Sequence, residues 1–200
     1  MRSVYANGLV AIDRGMPSVW PRITMKVSPG VNIMPSWPVV RQEGVEGNAM
    51  TLGDKANKKT VIRLLNEALA TEILCILRYK RHYFMTAGIS ARRAKAKFLQ
   101  HVAEEQAHAD QLAARSVQLG GEPELSLERM LNRSHAEQVE GDSLVEMITA
   151  DLLAERIAIE SYRTMSASIG DEDPTTRQVL EQILVQEEAH AESLASLVRD

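Results

Sequence analysis

The 200-residue chain has one cysteine, Cys75. A single thiol closes no internal disulfide and builds no four-thiolate or iron-sulfur site, so a reducing, cytoplasmic setting is the expectation. Aromatic residues make up only 4%, which is thin for a β-sandwich. Basic residues are not in excess. Lys and Arg number 23 against 27 Asp and Glu, a formal charge of -4, so no basic field exists to hold phosphates or anionic lipid. Nucleic acid and membrane are therefore not expected partners. No apolar run approaches the roughly 18 to 20 residues of a membrane helix. The piece GLVAI, residues 8 to 12, stops at Asp13 and Arg14, too short for a secretory signal.

Proline is scarce beyond residue 38. Five of the seven prolines and both tryptophans precede residue 39, leaving Pro123 and Pro174 for the rest. This shift divides the chain into residues 1–50, an irregular extension without helical or strand periodicity, and residues 51–200, a domain of ordinary globular composition. Met50 offers an alternative start of the chain; otherwise the extension is an arm that packs on a neighbouring subunit.

The second part is helical in pattern. From Asn57 to Met85, residues Ile62, Leu65, Leu69, Glu72, Ile76, Tyr79 and Tyr83 step by three and four and define one buried stripe. A second helix, with Ser90 as its N-cap, ends at Gly120-Gly121 and carries Phe98, His101, Glu105, His108 and Leu112. A third, from about Ser143 to Ile169, shows Leu144, Ile148, Leu152, Glu155, Ile159 and Tyr162. Asp173 and Pro174 open a fourth, with Leu180, Ile183, Glu187, His190, Leu194 and Leu197. Each apolar stripe thus contains an acid.

Short connections make each consecutive helix pair antiparallel. The pairs are separated by residues 121–141, with a helical turn expected over Leu127 to Asn132. Fully extended, this segment reaches roughly 65 Å, enough to cross a helix of about 40 Å. The expected fold is all-α, a four-helix bundle with one long crossover between helices two and three.

The halves repeat. Setting Glu72 on Glu155 aligns Ile76 with Ile159, Tyr79 with Tyr162 and Lys80 with Arg163; setting Glu105 on Glu187 aligns Glu-x-Ala-His-Ala and then Leu112 with Leu194. Each half therefore offers one lone Glu and one Glu-x-x-His. Residues three apart on a helix are neighbours, so the Glu and His of each motif can reach one ion. Four uncompensated core carboxylates would each cost several kcal/mol against a total stability of roughly 5 to 15. The stripes carry no Arg or Lys near their centres, whereas two divalent cations cancel four negative charges. Oxygen-rich ligation with one imidazole per metal suits iron or manganese, and zinc can compete.

Glu72, Glu105 with His108, Glu155, and Glu187 with His190 resemble the six-ligand set of the di-iron carboxylate proteins, a constellation known for such bundles. The segments LLNEALATEILCILRY, EEQAHADQLAARSVQLGGEP, DLLAERIAIESY and QEEAHAESLASLV are similar to the bacterioferritin branch of the ferritin-like superfamily over about residues 57–198. The resemblance implies a ferroxidase that uses O2 or H2O2 to oxidise Fe(II) for storage or detoxification. It also implies two irons as metals, with manganese or zinc as substitutes, and a homo-oligomer anywhere from a dimer to a 12- or 24-subunit shell. The bridging pair is either Glu105 with Glu155 or Glu105 with Glu187, the histidines are terminal ligands, and Tyr79 matches a tyrosine near the centre. The alternatives are a di-metal oxidase, a peroxidase or manganese-catalase-like enzyme without storage, and a structural or metal-sequestering bundle.

Departures from the branch carry expectations of their own. Bacterioferritins ligate haem through a Met directly after the second-helix Glu, where this chain has Gln106, so no haem is expected. The acid that orients the opposing imidazole is present as Glu104 but replaced by Gln186. A short pore-lining fifth helix does not follow Asp200. Ala158 stands where rubrerythrin has a further Glu, and Dps mini-ferritins ligate metal between subunits with another pattern. Ordinary packing is expected for His101, Tyr162 and Cys75, a surface or loop position for His82 and His135, and a solvated helix end for Arg78, Lys80 and Arg81.

Overall fold

A computed structural model describes residues 9–11, 24–26, 55–89, 91–126, 128–129 and 143–199. Four long helices dominate: α1 (Lys55–Met85), α2 (Arg92–Gln118), α3 (Leu144–Ile169) and α4 (Pro174–Arg199). Two short strands, β1 (Leu9–Ala11) and β2 (Thr24–Lys26), pair antiparallel with Val10 opposite Met25. Three-residue strands are too short to announce themselves by alternation, which is why the extension reads as irregular. Among the described residues no helix is long and apolar enough to cross a membrane.

Local chemistry sets the helix ends. Ser143 closes a capping box on α3: its Oγ accepts from Glu146 N at 3.3 Å, and its own N–H donates to Glu146 Oε2 at 3.0 Å. Such a cap is worth about 1 kcal/mol. Asp173 accepts from Thr176 N at 3.0 Å before Pro174 opens α4, as the sequence predicts. At the end of α2 the amides of Gly120 and Gly121 donate to Val117 O and Ser116 O at 2.8 and 2.9 Å, with Gly120 at φ +81°. This is the Schellman arrangement, in which the left-handed position favours glycine. The start of α2 differs from expectation. Its N-cap is Ala91, in helical backbone and without a side-chain cap, while Ser90 lies outside the described residues.

The helices pair as the connections require. Thr86 meets Met147, His82 meets Asp151, Tyr79 meets Glu155 and Glu72 meets Tyr162, so α1 and α3 run antiparallel. On the opposite side His101 meets Ser193, Glu104 meets His190, His108 meets Gln186 and Arg115 meets Asp173, so α2 and α4 do as well. After α2 the chain turns back against α1: Asn66 donates to Glu122 O at 3.1 Å and accepts from Glu124 N at 2.8 Å. Because α3 begins at the Thr86 end of α1, the end of α2 and the start of α3 lie at opposite ends of the bundle. Of the helical turn expected there, residues 128–129 are helical, and the other positions lie outside the described residues, as does His135.

All the stripe residues are buried or half-buried. They separate into two apolar clusters, one including Leu65, Leu112, Met165, Leu180 and Ile183, the other including Phe98, Ile148, Leu152, Ile159 and Leu194. Each fully buried side chain of this kind contributes about 1.5–3 kcal/mol. The glutamates and histidines of the four stripes form a polar layer within this core.

Candidate metal centre

The six predicted ligand residues come together. Glu72, Glu105, His108, Glu155, Glu187 and His190 are each at most 4% exposed. They form two overlapping groups, Glu72–Glu105–His108–Glu187 and Glu105–Glu155–Glu187–His190, with all donor atoms of a group within 4.8 Å of one another. A first-row ion with donors near 2.1 Å sets those donors about 3 to 4 Å apart, which fits.

Atom by atom, the two groups repeat one another approximately. His108 Nδ1 lies 2.9 Å from Glu187 Oε1, 3.2 Å from Glu105 Oε2 and 3.3 Å from Glu72 Oε2. His190 Nδ1 lies 3.5 Å from Glu187 Oε2, 3.4 Å from Glu105 Oε1 and 3.9 Å from Glu155 Oε2. One ring nitrogen carries at most one proton and cannot satisfy three carboxylates at once. Each nitrogen and its three oxygens instead surround a common point. Glu105 and Glu187 present one oxygen to each point, whereas Glu72 and Glu155 present only Oε2. Glu105 Oε1, Glu155 Oε2, both Glu187 oxygens and His190 Nδ1 have no aligned hydrogen-bond partner, the condition expected of atoms aimed at a cation.

The remaining atoms of these side chains are held from behind. Tyr162 Oη donates to Glu72 Oε1, and Tyr79 Oη donates to Glu155 Oε1. Each tyrosine thus crosses to the lone Glu of the other half. His190 Nε2 lies 2.8 Å from Glu104 Oε2, and His108 Nε2 is bonded to Gln186 Oε1.

Burial and mutual repulsion govern the charges. Burial raises the Glu105 and Glu155 carboxyls well above the usual range, and Glu187 adds to both shifts. Burial acts in the same direction on Glu187, but the close approach of Glu155, His108 and His190 outweighs it and holds that carboxyl low. Burial opposes charge on the two imidazoles, yet the surrounding glutamates push His108 up and take His190 to about 9. Burial raises both tyrosines, which stay neutral donors. Without cations the core is therefore neutralised by protons.

The ferritin-like domain family matches residues 62–200. The chain belongs to the ferritin-like family. The bacterioferritin of Rhodobacter capsulatus is 28% identical over 141 residues, covering 69% of this chain and 82% of that protein. Its solved structure, described with a metal-free dinuclear site and a haem iron, superposes with a TM-score of 0.63 at 25% identity, covering 70% and 84% of the two chains. A nutrient stress-induced DNA-binding protein of Nostoc is 30% identical over 148 residues, 71% of this chain and 79% of that one. The bacterioferritin-related protein of Bacteroides fragilis, described as a dodecameric thioferritin, superposes with a TM-score of 0.68 at 26% identity, covering 72% and 86%.

Against the ferritin-like expectation, several positions need correction. Tyr162 is not merely packed, since its hydroxyl donates to Glu72. Gln186, taken as a departure, does orient an imidazole, because an amide oxygen accepts from His108 as a carboxylate would. His82 is fully buried rather than on the surface, with Nδ1 2.8 Å from Asp151 Oδ2. Arg78 is also buried, and the nearby charge of Asp151 favours its cationic form against the effect of burial; Lys80 is exposed as expected. The signal for this pair was present in the spacing: His82 follows Tyr79 by three and Asp151 precedes Glu155 by four. His101 packs as expected but against a candidate ligand, its ring stacked 4.2 Å from that of His190; burial lowers its imidazole to about 3. Cys75 is buried, and burial raises its thiol. Gln106 is exposed and donates to Asp110 at 2.9 Å.

Proposed function

We propose that Glu72, Glu105, His108, Glu155, Glu187 and His190 hold two iron ions, and that the protein is a ferroxidase of the ferritin type. One observation carries this reading: Glu105 and Glu187 each turn one oxygen to either donor group. They would then bridge the two ions, with Glu72–His108 and Glu155–His190 terminal on either side. Manganese and zinc fit the same donors.

Fe(II) is the substrate: two ions each give up one electron, and dioxygen takes two electrons and two protons to leave as hydrogen peroxide, or peroxide is itself the oxidant. The protein's own part is to bind and orient. Tyr162 and Tyr79 fix the outer oxygens of Glu72 and Glu155, so only their inner oxygens face the centre. Gln186 and Glu104 fix the ring planes and leave each Nδ1 free to ligate. The surrounding apolar clusters exclude bulk water. With Gln106 where the resemblance puts a haem-ligating Met, no haem is expected there. The protein acts as a cytoplasmic homo-oligomer, without nucleic acid or membrane as partner.

Aerobic Fe(II) addition followed by sizing with iron detection tests the reading. Hundreds of irons eluting with a large particle are expected for storage. Two irons per chain on a dimer would replace storage with a di-metal oxidase or peroxidase. Glu105→Ala should abolish rapid oxidation, and an unchanged rate would refute the ligand assignment.

A further inference from the structure

The two halves of the centre agree in their donors but differ behind them. The imidazole of His190 leans on a carboxylate, Glu104, at 2.8 Å. The imidazole of His108 leans on an amide, Gln186. Setting Glu105 on Glu187 aligns these two residues and also aligns His101, stacked on the His190 ring, with the aliphatic Ile183. Setting Glu72 on Glu155 aligns the hydrogen-bonded Asp151 and His82, one turn from Tyr79, with Ala68 and Met165 in the apolar cluster. These extra groups, the Glu104 charge, His101 and the Asp151–His82 pair, fall on the side of His190.

A carboxylate accepting from the far nitrogen of a ligating imidazole strengthens that ring as a donor and adds negative charge near the ion, whereas a neutral amide fixes the ring but does neither. Resting on the two-metal reading above, we propose that the two cation positions are unequal and fill in order, the one at His190 and Glu155 first, with Glu104 and Gln186 as the positioning residues that set the order. Arg78 works against this order by bringing positive charge towards Asp151 and Glu155. Both positioning residues reach the surface: the Glu104 side chain is 35% exposed and Gln186 is exposed. They can therefore be exchanged, Glu for Gln or the reverse, without opening the core.

The test is an anaerobic Co(II) titration of the full chain, followed by absorption and by calorimetry. Two steps per chain are expected, the first about tenfold or more tighter, since such partners change metal affinity about 10- to 100-fold. Gln186→Glu should tighten the second step and narrow the gap. Glu104→Gln should narrow it by weakening the first. His190→Ala should remove the tight step and His108→Ala should keep it. Two equal steps, a gap unmoved by Gln186→Glu, or loss of the tight step in His108→Ala would each overturn the ordering. Absence of any Co(II) steps that depend on Glu105 would remove the metal centre itself, an outcome distinct from two equal steps.

Discussion

Loading the centre should release protons in a countable number. In the metal-free core, burial and neighbouring charge push Glu105 and Glu155 towards their protonated form, and the surrounding glutamates push His108 and His190 towards their charged form. A ligating carboxylate must be ionised and a ligating imidazole neutral, so two divalent ions displace about four protons at pH 7. Four positive charges arrive and four leave, so the core's net charge is unchanged and no buried charge is created. Anaerobic Zn(II) calorimetry in two buffers of different ionisation enthalpy measures the number directly. Its pH dependence has a definite sign. The imidazole of His190 titrates near 9 in the folded chain against about 6.5 unfolded. Its contribution to metal-free stability, about 3 kcal/mol at most, is complete below about pH 6.5 and lost as pH rises through about 9. Metal affinity moves the other way and grows over that interval. Release of fewer than about one proton per ion would refute the reasoning, because it would mean the carboxylates are already ionised and solvated.

Further outcomes follow from the contacts around the centre and at the helix ends. Tyr162→Phe leaves Glu72 Oε1 without its donor and should cost the metal-free protein about 1.5–3 kcal/mol in urea unfolding; no measurable loss would reduce the contact to packing. Asp173→Ala removes the α4 cap and the Arg115 pair at 2.9 Å, for a loss of about 2 kcal/mol. Burial favours protonation of Asp173, but Thr176 and Arg115 outweigh it and hold the carboxyl low. Wild type and variant should therefore differ fully above about pH 4 and converge as pH falls through the depressed value. Gly121→Ala sets a methyl 2.6 Å from Ile62 Cγ2 and 2.9 Å from Ser116 Oγ. A thermal scan should show destabilisation of about 1–3 kcal/mol.

The bundle and the meeting of six candidate ligands were legible because each helix stripe interrupts an apolar period with an acid, and the halves repeat the interruption. The choice between Glu155 and Glu187 as the proposed bridging partner of Glu105 was not legible, because it depends on which oxygens face which imidazole. Arg78 and His82 sit among charged residues near the end of α1, where composition suggests solvent and hides the helical step from Tyr79 to His82, and the approach of α3 buries them beside Asp151. Tyr162 looks like any core aromatic until Glu72 is placed opposite its hydroxyl. Gln186 reads as a missing acid because a sequence comparison registers lost charge, whereas holding a ring requires only an acceptor.

The crossed tyrosines bear on ancestry. Tyr79 belongs to the first helix pair yet serves the glutamate of the second, and Tyr162 does the reverse. Had the ancestor been a single helix hairpin that paired with its own copy about a twofold axis, each copy would have lent its tyrosine to the other's glutamate, and the whole ligand set would have been present before the two halves shared a chain. Fusion would then have preserved a working centre and freed its halves to diverge. Glu104 and Gln186, or His101 and Ile183, are the kind of differences that a symmetric pair of identical chains cannot hold and a single continuous one can.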